Sequence, residues 1–164
     1  MKSLILVRHA KSGWKDGDIP DHDRPLAPRG LRNAPELAAR LMAQRLSFEL
    51  LLSSSAKRTR ATAEQIAEAY SFRQPFVCDR ALYHASPAAY ARAVAAWGRE
   101  QDTIAVVGHN PGLQDWLLAM TGDTGKFPTA AYAVVHLRLE EWAALTPGTR
   151  GTLAEFWRPE PCTS

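Results

Sequence analysis

Short apolar runs alternate along the chain with longer stretches in which apolar residues return every third or fourth position, a pattern that predicts strands and helices in turn. Residues 3–8 (SLILVR) form an apolar run that stops at KSGWKDGDIPDHDRPLAPRG, a stretch rich in Gly, Pro and Asp. This reads as a buried strand feeding a long loop. From Leu31 to Leu46, the residues Leu31, Ala34, Leu37, Ala38, Leu41 and Met42 make the apolar stripe of an amphipathic helix, with Arg32, Glu36, Arg40 and Arg45 between them. Phe48 to Leu52 predicts a second strand, and residues 56–70 return to helical spacing through Ala63, Ile66, Ala67 and Tyr70.

The order then repeats. Pro75 to Cys78 is a short third strand, Ser86 and Pro87 open an Ala-rich helix running to Trp97, and Thr103 to Val107 (TIAVV) is a β-branched strand. Asn110 and Pro111 start another helix. Residues 131–139 (AYAVVHLRL) alternate toward their end, as a strand with one wetter face would, and residues 152–157 form its antiparallel partner across a Pro-Gly turn. The pattern predicts an α/β fold: a three-layer αβα sandwich with a mainly parallel central sheet and an antiparallel C-terminal strand pair. With 164 residues, 46% hydrophobic and 23% charged, and no repeat or linker, residues 1–164 are expected to be a single domain.

Composition narrows the function classes. The first apolar run is far too short for a membrane span or a secretory leader, so no membrane partner and a cytoplasmic location are expected. Cys78 and Cys162 stand far apart without a CxxC or a companion His, which predicts reduced thiols rather than a disulfide or a zinc site. The formal net charge of +3 comes from 20 Lys and Arg interspersed with 17 Asp and Glu. A small anionic ligand fits this better than nucleic acid, since no basic stripe is interleaved with aromatics.

Candidate chemistry collects at strand ends, where loops and helix N-termini of a parallel sheet converge. The first strand ends in Arg8-His9, the second in Ser53-Ser54-Ser55 ahead of Lys57, Arg58 and Arg60, and the fourth in Gly108-His109-Asn110. Guanidinium forks match phosphoryl oxygens in pairs, and a neutral imidazole is a competent nucleophile that can carry a phosphoryl group. The expectation is a phosphate site with an attacking imidazole and neither metal nor cofactor.

Val7-Arg8-His9-Ala10-Lys11-Ser12, Ser54-Ser55-Ala56-Lys57-Arg58-Thr59-Arg60-Ala61-Thr62 and Val107-Gly108-His109-Asn110-Pro111 together resemble the histidine phosphatase superfamily, specifically its small SixA-type phosphohistidine phosphatase branch. The resemblance implies a phosphoglycerate mutase-like fold, His9 as nucleophile with Arg8 beside it, Arg58 from an S-x-x-x-R-x-x-x-T motif, and His109 as the second pocket histidine. Asp23-Arg24-Pro25-Leu26 with Arg29-Gly30, and Leu82-Tyr83 ahead of Ala85-Ser86, also look like stretches usual in this branch. Ser54, Arg24, Trp14 and His84 are the expected substrate contacts, Trp14 either as a rim contact or as a hydrophobic plug. Two departures stand out. Ala10 replaces a glycine, which would strain the chain if φ were positive there. No carboxylate stands at Tyr83-His84-Ala85, where many relatives place an acidic residue.

The missing acid bears on the substrate. An alkoxide needs a proton to leave, whereas a phosphorylated imidazole leaves more readily, so phosphohistidine in a protein or a related small phosphorylated group is the expected substrate. His84, Asp21 and Asp23 all stay open as proton donors. The alternatives are a phosphatase of small metabolite monoesters and a non-catalytic module that binds phosphorylated ligands. His22, between Asp21 and Asp23, reads as part of a hydrated loop rather than a metal cluster, and His136 as a surface or sheet residue. Ser54 and Thr62 are expected to satisfy neighbouring donors rather than attack.

Overall fold

The computed structural model describes residues 1–13 and 17–160. Trp14 and Cys162 therefore lie outside the described residues. The chain runs β1 (Lys2–Arg8), α1 (Pro28–Ala43), β2 (Leu50–Ser54), α2 (Lys57–Ala69), β3 (Phe76–Asp79), α3 (Pro87–Trp97), β4 (Thr103–Gly108), α4 (Gly112–Thr121), β5 (Tyr132–Leu137) and β6 (Gly151–Trp157). Single 3-10 turns occupy Asp21–Asp23, Arg80–Leu82 and Trp142–Ala144.

The strands make one six-stranded sheet in the order β3-β2-β4-β1-β5-β6. β3, β2, β4 and β1 are mutually parallel, while β5 pairs antiparallel with both β1 and β6. Residues on β1 alternate between two cores. Leu4 and Leu6 pack with Tyr90 and Val94 of α3 and Leu113, Trp116 and Leu117 of α4. Ile5 and Val7 pack with Leu37 and Leu41 of α1 and Ala63 and Ile66 of α2. Period-two alternation on a strand buried from both sides thus yields the three-layer αβα sandwich. Among the described residues, no helix is long and apolar enough to cross a membrane.

Several boundaries depart from the pattern-based expectation. Helix α1 starts at Pro28 and ends at Ala43, because proline at its first turn already has helical φ. Its buried stripe is Ala34, Leu37, Ala38 and Leu41, whereas Leu31 and Met42 are 62% and 46% exposed. β2 begins two residues later than expected and continues through Ser54, so its polar end remains in the sheet. β5 is an inner strand on which His136 alone is exposed, its Nδ1 within 2.8 Å of Ser3 Oγ. The β5–β6 connection is no tight turn but a long loop holding the Trp142–Ala144 turn.

Candidate active site

Strand order builds the site. Because β4 lies between β1 and β2, the polar ends of three strands distant in sequence stand side by side. Arg8 is in register with Gly108, and Ser53 with Val107. His9 and His109 then follow on adjacent strand ends with ring centroids 5.3 Å apart. Both are buried, at 7% and 2% exposure.

Local bonds orient each imidazole. His9 Nδ1 lies 2.7 Å from the Ala10 carbonyl, which can only accept, so Nδ1 carries the proton and Nε2 presents a lone pair. Ala10 is fully buried without positive φ, so alanine brings no strain in the glycine's place. Its N–H donates to Thr62 Oγ1 at 3.0 Å, while that hydroxyl donates to the Arg58 carbonyl at 2.8 Å. Thr62 thereby joins the first motif to α2. His109 Nε2 lies 2.8 Å from Ser54 Oγ, which also accepts from Ala56 N at 3.3 Å. With Ser54 donating to Nε2, the His109 proton resides on Nδ1, a buried atom without a hydrogen-bond partner. Ser54, expected as a substrate contact, is fully buried outside the cavity lining, with its hydroxyl turned to His109.

A cavity of about 250 Å³ opens over these groups, lined by Arg8, His9, Arg24, Arg58, His84 and His109, with Lys11, Ser12, Asp21, Asn110 and Thr129 completing its wall. The expected residues Arg8, His9, Arg24, Arg58, His84 and His109 are therefore together. Arg8 Nη1 donates to the Phe127 carbonyl at 3.1 Å, and Nε of both Arg8 and Arg58 is buried without a partner. Burial is the main force lowering the Arg8 pKa, followed by the charge of Arg58. Burial also pushes His9 down to about 3; the Ala10 carbonyl opposes this, and the charges of Arg58, Arg8 and Arg24 add to it. His109 is pushed down too, by burial first and then by His9 and Arg58. Both rings are neutral at neutral pH.

Asp21 is the residue whose place the sequence did not show. Its carboxylate accepts from Arg58 Nη2 at 3.1 Å, Arg24 Nε at 3.0 Å, and the Tyr83 hydroxyl, and lies 3.0 Å from His84 Nε2. Its carbonyl takes Arg58 Nη1 at 2.7 Å. Partial burial opposes ionisation, but the hydrogen bonds of Tyr83, His84 and Arg58 prevail and hold the carboxyl well below its usual range. The long loop after β1 thus reaches back across the cavity to the Tyr83-His84 segment. Asp23 stays outside, its carboxylate 3.1 Å from His22 Nδ1, and His22 Nε2 contacts Ser55 Oγ at 2.8 Å. Thr129, on the loop before β5, carried no signal in the sequence, whereas Lys11, Ser12 and Asn110 sit within the quoted motifs.

Residues 4–90 match the sequence model of the histidine phosphatase superfamily, branch 1. An uncharacterized protein of Mycobacterium tuberculosis is 33% identical over 153 residues, 87% of this chain and 93% of its own length. A candidate phosphohistidine phosphatase SixA from Agrobacterium tumefaciens superposes with a TM-score of 0.83 at 29% identity, over 96% of this chain and 98% of that one. Another candidate SixA, from Nakamurella multipartitia, gives 0.78 at 26% identity over 96% of each chain. The adjacent histidines, the guanidiniums around them and these likenesses agree: the chain belongs to branch 1 of the histidine phosphatase superfamily, among phosphatases of the SixA type.

Proposed function

We propose that the protein hydrolyses phosphate from phosphohistidine, in a protein or a related small phosphorylated group, through a covalent phosphoryl intermediate on His9. The observation that carries this reading is the His9 ring itself, held by its Nδ1 contact with the Ala10 carbonyl and kept neutral by burial among arginines, so that the Nε2 lone pair is available. Nε2 attacks phosphorus as the leaving group departs, and water then cleaves the N–P bond. Arg8 and Arg58 neutralise charge building on the phosphoryl oxygens, and the Nδ1–H of His109 adds a donor.

Phosphohistidine is preferred over an alkyl ester because an imidazole leaves more readily than an alkoxide, and the carboxyl group facing the cavity, Asp21, is held ionised and gives an alkoxide no proton. The SixA names of the similar solved structures support the same substrate class. Acid-labile, alkali-stable phosphate is expected on His9 when turnover of labelled substrate is quenched. A His9→Ala variant that keeps full activity overturns the assignment. A panel of phosphohistidine peptides and small phosphate monoesters separates this substrate from the metabolite alternative, and phosphate binding without any turnover would favour the binding-module reading.

A further inference from the structure

We propose that His84 supplies the proton to the departing group and that Asp21 is the residue that positions it, a step that rests on the phosphoryl transfer to His9 set out above. Two independent features meet at His84. The first is its place between two cavities. A second cavity of about 260 Å³ adjoins the phosphate cavity and is walled by Ala85, Ser86, Pro87, Pro111, Gly112 and Asp115. His84 and Asn110 line both. A leaving group that extends from a phosphoryl group among Arg8, His9 and Arg58 into that second space passes between the two residues shared by both walls, His84 and Asn110. Asn110 has no acidic proton, so His84 is the titratable side chain common to both among the described residues.

The second feature is how the ring is held. His84 takes a left-handed backbone, φ +50°, which keeps its side chain at the cavity mouth. Its Nε2 lies 3.0 Å from Asp21 Oδ2, and a carboxylate so placed holds the proton on Nε2 and leaves Nδ1 to exchange one. The same carboxylate accepts from the Tyr83 hydroxyl and from Arg58. One side chain therefore sets both a phosphate-binding guanidinium and the imidazole beside the leaving group. Other candidates are spoken for. His9 and His109 are neutral, Asp21 is ionised by its partners, and Tyr83 directs its proton to Asp21.

The cycle balances on Nδ1. The step starts from the doubly protonated ring of His84: as His9 Nε2 bonds to phosphorus, the bond to the leaving atom breaks, its electron pair stays with that atom, and that atom takes the Nδ1 proton of His84 while Nε2–H stays on Asp21. Water then gives its proton to His84 Nδ1 while its oxygen bonds to phosphorus, and the N–P electron pair returns to His9.

The test is a series of aryl and alkyl phosphates of rising leaving-group pKa, with kcat/KM measured for the unmodified protein, His84→Asn, Asp21→Asn and Tyr83→Phe. Asparagine tolerates the left-handed backbone but cannot shuttle the proton. His84→Asn is expected to lose roughly 10²–10⁴-fold on the least activated esters and almost nothing on the most activated, with added imidazole restoring part of the loss. Asp21→Asn should steepen the same dependence to a smaller degree, and Tyr83→Phe, which keeps the His84 contact, should not. A loss equal across the series in His84→Asn overturns the role of His84, and an equal loss in Asp21→Asn overturns positioning by Asp21. Phosphoenzyme on His9 should still form from the activated ester in every variant. Its absence in the unmodified protein overturns both readings, whereas its presence with a flat His84→Asn profile overturns this one alone.

Discussion

One hydroxyl holds both backbone polar groups of His109. Tyr90, on α3, accepts from the His109 N–H at 2.9 Å and donates to the His109 carbonyl at 3.3 Å. Its ring is fully buried and stacks on Trp116 at 5.5 Å. Tyr90→Phe leaves a buried amide unsatisfied and frees His109 to shift, so thermal unfolding should show a loss of about 1–3 kcal/mol. Turnover should fall with it. A variant of unchanged stability and rate would mean that the ring is placed by other contacts.

Gly108 precedes that histidine, and its place is steric. A Cβ there would lie 2.2 Å from the Tyr90 hydroxyl, so Gly108→Ala should displace the same contact. Gly30 makes the parallel case on the other side of the site, where a Cβ would meet the backbone oxygen of Lys11 at 2.1 Å. Gly30→Ala should push α1 away from the first motif and cost roughly 1–3 kcal/mol, with reduced kcat; chemical denaturation checks the first and steady-state kinetics the second.

Histidine titration should set one slope of the stability curve. His9 falls from 6.5 in the unfolded chain to about 3 when folded. Between these values the unfolded chain binds the extra proton, so stability falls as pH drops through that window and His9 contributes no slope above it. His109 is lowered in the same direction. Imidazole nitrogen NMR should find His9 neutral at pH 5, and His9→Ala should flatten the acid side of the unfolding curve. A His9 resonance titrating near 6.5 in the ligand-free protein overturns this.

Arg58 joins α2 to the Asp21 loop and turns a buried Nε toward no protein partner. Arg58→Ala removes a phosphate donor and releases Asp21, so activity should drop by roughly 10³-fold or more. Arg58→Lys should recover only part, since an ammonium cannot reproduce the fork. Equal rates for Lys and Arg at this position would argue against paired contacts to the phosphoryl oxygens.

The proposed chemistry draws on the side chains of His9, Arg8, Arg58 and His109 alone. Chelator treatment is therefore expected to leave turnover unchanged. Activity lost on chelation and restored by a divalent ion would overturn this part of the mechanism.

Much of this protein was legible in the chain order of its residues. Period-two and period-3.6 spacing located each helix and strand of the sheet to within a few residues, because burial on one or both faces forces those periods. Arg8, His9 and His109 were marked by their places just beyond apolar runs, since a parallel sheet exposes its strand ends to one common crevice, whereas Arg58 was singled out from Lys57 and Arg60 by the resemblance of its S-x-x-x-R-x-x-x-T stretch to the histidine phosphatase superfamily. What tertiary structure alone decided is which ends are neighbours. That β4 inserts between β1 and β2 depends on how the helices fill the two faces of the sheet. The role of Asp21 was hidden for the same reason. Its loop has no period to read, and its partners Arg58, Tyr83 and His84 lie 37, 62 and 63 residues away in sequence. A carboxylate's neighbours are set by chain closure rather than by local propensity, so the sequence could place Asp21 among the candidates but could not say which charges would hold it.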